Sequence, residues 1–508
     1  NSLINQNSIL MVVIWYILIL TIGWMVLPLT NHLFANLPDK GYSFIRMMGF
    51  VILTWLAWFS GSLKILLFNR GTILFWLILL VAINLFWFVR RKQSILGFIR
   101  SNIGYIILVE SIFLFLFIFS LHIRYANPDL WHPWYGGEKP MEFAFFNAVN
   151  KSVYFPPQNP WFSDHYINYY YYGFIVAAIP TKLLGILPGS AFNLIIPTWF
   201  AMTGVGMFGV GYNFYLGFAK KKENIELIER KDKQQNRKNW DFRISPIHKS
   251  ALFVGFFALI FILFLGNFFQ VKLLWQNLPE VSEIVLDAES DNKLVSVLSG
   301  AKNVISGEAE LPGSPGRWYF SASRPILPDG PDTPIAEFPY FSFLYGDLHP
   351  HLLTMPFYAL GFGWCLTLLL SSSHKQKWYQ QILPLVLAGL IFGMYRVSHT
   401  WDFPIFISLG TLSLFWMISK DKKLLLENQI RKILTYTTIF IGLSIILYLP
   451  FSQWFKTAYN SIEIWDGAKT PLGDYFIVFG MSIFIMFGYL LDEIITDMVR
   501  NIKCWKKL

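Results

Sequence analysis

Long apolar runs separated by shorter polar segments extend through the whole chain. Each run approaches the roughly 20 residues that a helix needs to cross the hydrocarbon core of a bilayer. The pattern predicts an all-α polytopic membrane protein with about 11–12 transmembrane helices. The twelve runs lie near residues 10–30, 46–67, 73–90, 104–121, 167–187, 190–217, 251–270, 351–371, 381–397, 402–418, 432–449 and 475–492.

Basic residues mark one side of the predicted membrane. The segment 218–250 carries ten Lys or Arg against five acidic residues, and 91–103, 419–432 and 501–508 are also basic. Because Lys and Arg are retained on the cytoplasmic side, we expect these four segments to be cytoplasmic. The high charge of 218–250 predicts a solvated linker rather than a folded domain.

Three other polar segments then fall on the extracytoplasmic side, at 122–166, 271–350 and 450–474. The middle segment has eleven acidic residues against five Lys or Arg, which is the opposite bias. We expect these outer loops to carry short amphipathic helices.

The alternation of sides fails at one place. The two ends of residues 167–217 lie on opposite predicted sides, so an odd number of crossings is required, but two apolar runs occur there. One of the two runs is therefore predicted to be short, re-entrant or parallel to the membrane. About eleven true crossings remain.

Composition supports this class of protein and narrows the function. The chain of 508 residues is 55% apolar and 14% charged, whereas soluble domains have about 25% charged residues. The net charge of +10 comes from loops that carry no RNA or DNA motif, so no nucleic-acid partner is expected. Cys365 and Cys504 lie far apart, which disfavours a disulfide framework or a cysteine metal site.

Candidate chemistry begins in the first outer loop. Residues 138–150 read as a short amphipathic helix with Pro140 in its first turn. Glu138 and Glu142 are four residues apart and share one face of that helix. They are candidate catalytic carboxylates, although two acids at a helix N-terminus also complement its dipole.

A second candidate follows in "YGDLHPHLL", where Asp347, His349 and His351 alternate around Pro350. Carboxylate and imidazole ligands suit a divalent cation such as Mg, Mn or Zn, and alternation places the three side chains on one side of an extended segment. The alternative is an Asp N-cap followed by interfacial histidines. A helix N-terminus here would also attract an anion.

A third candidate is "GMYRVSHTWDFPIF", at the extracytoplasmic end of a predicted span. Arg396 lies close to the apolar run, where a charge usually faces a cavity or a partner. His399 and Asp402 are its neighbours in sequence. Arg396 is a candidate ligand of a phosphate, and the alternative is that it reaches back to the interface. Charged residues of 461–475 form a fourth, weaker group.

Four consecutive tyrosines, Tyr169 to Tyr172, stand where the first outer loop meets an apolar run. Successive helical residues point about 100° apart, so the four cannot share a face. We predict that two of them face a cavity beside Glu138, while the others contact lipid or neighbouring helices. The alternative is an interfacial aromatic belt.

The charge pattern brings these distant stretches to one side of the membrane, which predicts a single extracytoplasmic site. Acids, histidines, one arginine and many aromatics suit a reaction on a lipid-anchored phosphate substrate. Such a reaction needs a carboxylate base for an acceptor hydroxyl and cations for a phosphate leaving group.

Four ordered motifs together resemble the YYY-motif integral membrane family, a family of unknown function that is named for its tyrosine run. They are "GGEKPMEFAFFNAV", "FPPQNPWFSDHYINYYYYGF", "YGDLHPHLLTMPF" and "RVSHTWDFPIF". The family is grouped with the GT-C glycosyltransferases, which use polyprenyl-phosphate-linked sugars on the outer face. The resemblance implies that Glu138, or next Glu142, is the acid of the first outer loop.

The resemblance also implies a domain organisation. Residues 104–492 would form a GT-C-like core, preceded by N-terminal transmembrane helices in 1–103 and followed by a basic cytoplasmic tail, 493–508. In the GT-C superfamily the acidic loop usually follows the first span, whereas here three spans precede 104–121.

The sequence therefore predicts a membrane glycosyltransferase in the cell membrane. Its partners would be a lipid-linked sugar donor and membrane lipids, with Mg or Mn as cofactor and other membrane subunits as candidate partners. The alternatives are a transporter or flippase of lipid-linked substrates and a non-catalytic subunit of a membrane assembly. The predicted site comprises catalytic Glu138, Glu142 and Asp347, metal ligands Asp347, His349 and His351, and substrate-binding Tyr169, Tyr170, Tyr172, Arg396, Trp401 and Asp402.

Overall fold

The computed structural model describes most of the chain as helices joined by turns. No β-strand occurs in the described ranges, where one isolated bridge pairs Gln158 with Tyr166. Most of the predicted cytoplasmic segment 218–250, and part of 450–474, lie outside these ranges. The described residues are 3–132, 137–222, 246–286, 292–326, 334–371, 382–421, 424–456, 464, 466–467 and 469–505.

Two compact units make up the chain. The first comprises Asn1–Leu263 and Gly346–Ala458, and the second comprises Phe264–Tyr345 and Tyr459–Leu508. The predicted boundary at residue 103 falls inside the first unit.

The first unit contains seventeen of the described α-helices. They are α1 (Leu3–Gln6), α2 (Ser8–Trp24), α3 (Leu27–Leu33), α4 (Ile45–Ser62), α5 (Arg70–Arg90), α6 (Lys92–Ser101), α7 (Ile103–Ala126), α8 (Lys139–Lys151), α9 (Tyr172–Leu184), α10 (Pro188–Lys222), α11 (Pro246–Leu263), α16 (Pro350–Thr354), α17 (Tyr358–Leu370), α18 (Ile382–Ser398), α19 (Asp402–Ser419), α20 (Leu426–Ile446) and α21 (Leu449–Ser452). Short 3₁₀ turns precede α4 at Tyr42–Phe44 and α17 at Met355–Phe357.

The second unit contains five described α-helices. Asn267 anchors it internally, because its side-chain amide donates a hydrogen bond to the carbonyl oxygen of Ala322 over 2.6 Å. The backbone N–H of Phe268 donates to Ile477 in the same way over 2.8 Å. The helices are α12 (Phe269–Leu286), α13 (Lys293–Ser306), α14 (Pro315–Phe320), α15 (Pro339–Tyr345) and α22 (Leu472–Trp505).

Helices occupy all twelve predicted apolar runs, which confirms the all-α polytopic class. In the described residues, seven helices are long and apolar enough to cross a membrane. The pair α2 and α3, bent by 45°, makes an eighth if it is one span. The helices Tyr172–Leu184, His248–Leu263 and Ile382–Ser398 are apolar but shorter.

Close helix packing in the first unit depends on small residues. At Gly49 of α4, a Cβ atom would lie 2.2 Å from the carbonyl oxygen of Ile22 in α2. Only glycine permits this approach, which is a common device of membrane helices because it brings their backbones together.

Helix α9 is the short run that the alternation of sides required. Its 13 residues extend about 20 Å, less than the roughly 30 Å hydrocarbon core. Both ends of α9 contact the first outer loop, 122–166. Tyr171 at its start stacks on Phe155, and the Lys182 ammonium near its end donates a hydrogen bond to the Ser152 carbonyl over 3.2 Å. Next, α10 begins beside the first outer loop, where Asn193 donates to Pro128. We infer that α9 enters and leaves on one side.

This geometry predicts the labelling of introduced cysteines. In a chain carrying Cys504→Ser, where Cys365 is buried, Ser163→Cys and Leu187→Cys should react with an impermeant thiol reagent from one side of sealed vesicles. Ser94→Cys, in the predicted cytoplasmic loop, should react only from the other side. Labelling of residues 163 and 187 from opposite sides would show that α9 crosses the membrane.

Candidate functional site

The first carboxylates come from α8, which forms as its sequence predicts. Pro140 occupies the first turn, where its missing N–H costs nothing. Glu138 is the residue that precedes the helix, and Glu142 lies one turn later on the buried face. The face that carries Glu142 also buries Phe145 and Phe146, so packing fixes the direction in which this carboxylate points.

The second part of the site is the turn before α16. Gly346 has φ +69° and a Cβ there would lie 2.7 Å from a guanidinium nitrogen of Arg124, so both backbone and space require glycine. The turn places Asp347 in the protein interior. His349 is extended and precedes Pro350, the first residue of α16.

His349 joins the two parts. Its Nδ1 lies 3.0 Å from Oε1 of Glu142 and 3.1 Å from Oε2 of Glu138. An ionised carboxylate can only accept a hydrogen bond, so Nδ1 is the donor. The three ligand atoms lie within 4.8 Å of one another. We call Glu138, Glu142 and His349 the Glu–His cluster.

The two carboxylates of the cluster differ in exposure. The side chain of Glu142 is fully buried, whereas that of Glu138 is 55% exposed. Burial raises the pKa of Glu142, although His349 opposes this rise. Oε2 of Glu142 is buried and has no hydrogen-bond partner among the described residues. One carboxylate is therefore accessible from outside, and the other has an unsatisfied oxygen inside.

The protonation of His349 is set by the same contacts. Burial lowers the pKa of its imidazole, but the hydrogen bonds to Glu138 and Glu142 outweigh that effect and raise the pKa to about 10. In the absence of a bound cation, the ring is an imidazolium held between two carboxylates.

Asp347 and His351 lie beside the cluster without completing it. Asp347 is 6% exposed, and its charge also raises the pKa of His349. The ring of His351 lies 4.9 Å from that of His349. The predicted metal ligands Asp347, His349 and His351 are thus close in space, but among the described residues the group whose ligand atoms converge contains only His349 of the three.

The first two tyrosines of the run face polar groups. Tyr169 lies next to the cluster. Burial raises the pKa of its phenol, and the nearby charges of Glu142 and Glu138 raise it further. The ring of Tyr170 lies 6.0 Å from that of His399 and 5.5 Å from that of Phe455. Both tyrosines are half-buried.

The last two tyrosines pack inside the protein. Tyr171 stacks on Phe155, and Tyr172 makes edge contacts with Trp58 and Tyr448. Tyr172 is 0% exposed, so the structure places this predicted substrate-binding residue in the core. The run therefore divides two and two, with the inner pair contacting neighbouring helices. Only Tyr172 lies within α9, so the 100° helical step does not account for this division.

The third motif forms a group of its own. His399 Nδ1 lies 3.0 Å from Oδ2 of Asp402, and the Tyr358 hydroxyl donates to the same oxygen. Trp401 is 62% exposed beside them. The His399–Asp402 group contacts the tyrosine run through the ring of Tyr170, whereas Tyr169 lies beside the Glu–His cluster.

Comparison with known proteins places the chain in one family. The family described as "Uncharacterized membrane protein (DUF2298)" matches residues 52–506. The chain belongs to the DUF2298 family. No curated protein and no solved structure matches it.

Arginines complete the description of this DUF2298 protein. Arg396 is held by Ser452, which accepts a hydrogen bond from its Nη1 over 2.7 Å. Arg124, which sequence reasoning missed, is buried and donates to Asn193. Its sequence signal is a single charge two residues before the end of α7.

The cluster predicts a pH dependence of stability. The pKa of His349 is about 10 in the folded protein and about 6.5 when unfolded. A raised pKa contributes stability that is fully present below about pH 6.5 and lost as pH rises through about 10. With EDTA present, the melting temperature of the wild type should fall between pH 7 and 10 more steeply than that of His349→Gln. Parallel curves would contradict the ion pair.

The burial of Tyr172 predicts that its replacement by Phe and by Ala will have different effects on stability. Within the described residues the buried Tyr172 hydroxyl makes no hydrogen bond of normal geometry, so Tyr172→Phe should leave the melting temperature nearly unchanged. Tyr172→Ala should cost about 3–5 kcal/mol, as for other large buried rings. Half-buried Tyr170→Ala should cost less, and an equal loss would refute the division of the run.

Proposed function

We propose that this protein transfers a sugar from a polyprenyl-phosphate-linked donor to an acceptor hydroxyl on the extracytoplasmic side of the cell membrane. The observation that carries the proposal is the Glu–His cluster. It joins an exposed carboxylate to a buried one through His349, which is 207 residues from Glu142 in sequence. The charge bias of the loops supports the extracytoplasmic side.

Glu138 is the catalytic base of the proposed reaction. It takes the proton of the acceptor hydroxyl, the acceptor oxygen bonds to the anomeric carbon, and the bond between that carbon and the donor phosphate breaks. The polyprenyl phosphate leaves with the electron pair. Glu138 suits this role because its side chain is 55% exposed, whereas Glu142 is sealed from solvent and holds His349 in place.

The cluster also fits a divalent cation such as Mg or Mn. Carboxylates and an imidazole are suitable ligands, and those of the cluster lie within 4.8 Å of one another. Oε2 of Glu142 is buried and accepts no hydrogen bond from the described part of the protein. Glu142 and His349 would hold the ion, with Asp347 beside them, and Glu138 would remain free to take the acceptor proton. A bound cation would neutralise charge on the phosphate leaving group.

Aromatic side chains would accept the rest of the donor. Tyr169 and Tyr170 form a continuous wall, with ring centres 5.2 Å apart, from the cluster to His399. Exposed Trp401 extends this wall. Aromatic faces of this kind bind sugar or prenyl groups, and Asp402 and Arg396 supply polar contacts at its far end.

Substitution of the base tests the proposal. Glu138→Gln should keep the fold and lower the transfer rate by about 10² to 10⁴. Exposed Glu308→Gln, in the second unit, is the matched control and should retain full activity. The assay is transfer of labelled sugar from polyprenyl-phosphate donors by purified protein in nanodiscs. Full activity of Glu138→Gln would remove the assigned role.

Cation binding has a separate test that needs no activity. Titration of Mn²⁺ into the purified protein, followed by electron paramagnetic resonance, should show one site that is lost in Glu142→Gln. Asp402→Asn, in the neighbouring group, should bind Mn²⁺ as the wild type does. Equal binding by the wild type and Glu142→Gln would reject the cluster as a cation site.

A further inference from the structure

A groove of about 750 Å³ lies on the other side of α8 from the Glu–His cluster. Asn147 and Lys151 of α8 line it, together with Lys64 and the segment 152–160. Its volume falls in the range of small-molecule sites, roughly 300–1,000 Å³. We call it the lysine groove.

The groove is positively charged. Lys64 and Lys151 are its charged lining residues, and no acidic side chain lines it. Neither ammonium group makes a hydrogen bond or ion pair within the described residues. Lys64 adopts φ +57°, a left-handed conformation that glycine or asparagine would adopt at lower cost.

The remaining polar groups of the groove suit a carbohydrate. The Gln158 amide and the hydroxyls of Tyr154 and Tyr166 make no hydrogen bonds to the described part of the protein, and all three side chains are exposed. Tyrosine faces stack on sugar rings, and an amide bonds to hydroxyl groups in either direction. Convergent polar groups of this kind in one concave surface mark a ligand site.

We propose that the lysine groove binds an acidic saccharide, whose carboxylate or phosphate lies between Lys64 and Lys151. Resting on the proposed function, this saccharide is the acceptor of the transferred sugar. The two sites share α8: Glu138 precedes the first residue of the helix and Lys151 is its last. Lys151 and Glu138 are about 20 Å apart along the helix, so the acceptor would have to extend from the groove around the first turn of α8 to bring a hydroxyl group to Glu138.

Calorimetric titration in nanodiscs tests the groove without any need for activity. A tetrasaccharide that contains glucuronic acid should bind, and neutral maltotetraose should bind at least tenfold more weakly. Lys64→Gln and Lys151→Gln should each weaken binding of the acidic probe about tenfold. Exposed Lys302→Gln, in the second unit, is the control and should change nothing. Equal binding of both probes, or wild-type affinity in the double variant, would overturn the proposal.

A lipid headgroup is the competing source of negative charge. If phosphatidylglycerol in the nanodisc abolished binding of the acidic probe in the wild type, the groove would be a headgroup site and the saccharide proposal would fall. If the probe bound but never accepted a sugar, the groove would stand and the acceptor role alone would be overturned. Loss of transfer in Glu138→Gln with unchanged probe binding would support both assignments.

Discussion

A buried carboxylate must be paired or neutralised, and this constraint organises the centre of the first unit. Glu142 is fully enclosed by protein, where an isolated negative charge would be prohibitively costly. His349 supplies the partner from a segment more than two hundred residues away. The chain therefore has to hold the turn at residues 346–349 against α8, and the helices that follow that turn are positioned by the same contact.

Aromatic packing around α8 fixes the position of the Glu142–His349 contact. Phe145 and Phe146, on the face of α8 that carries Glu142, make edge contacts with Phe174 of α9 and Phe192 of α10. Because α9 packs against α8, its first residues are held at the level of the cluster. Tyr169, which precedes α9, is thus placed beside the carboxylates by the packing of its neighbours.

Local patterns predicted the helices, while long-range pairing determined the chemistry. The apolar runs were sufficient to predict the membrane helices, because each span lies within one continuous run. Pro140 was sufficient to predict the start of α8, because proline favours the first turn of a helix. The ligand set was harder to predict. Alternation suggested Asp347, His349 and His351, but α16 begins at Pro350 and ends the extended segment between the two histidines. The partner of His349 is Glu142, and no local spacing could connect them.

Two other acids of the first unit, buried Asp39 and partly exposed Glu110, show how this chain satisfies carboxylates that lie against the protein. Near the start of α4, both oxygens of Asp39 accept hydrogen bonds from the backbone N–H groups of Gly41 and Ser43. Glu110 likewise has both oxygens engaged, one by the Tyr42 hydroxyl and the other by Arg46. These groups are satisfied within the chain, as structural polar groups usually are.

Glu142 differs from these two acids, because no hydrogen bond from the described residues reaches its buried Oε2, and the exposed Glu138 shares its partner His349. That oxygen lies where two carboxylates and an imidazole converge, and this convergence is the observation on which the proposed cation site rests.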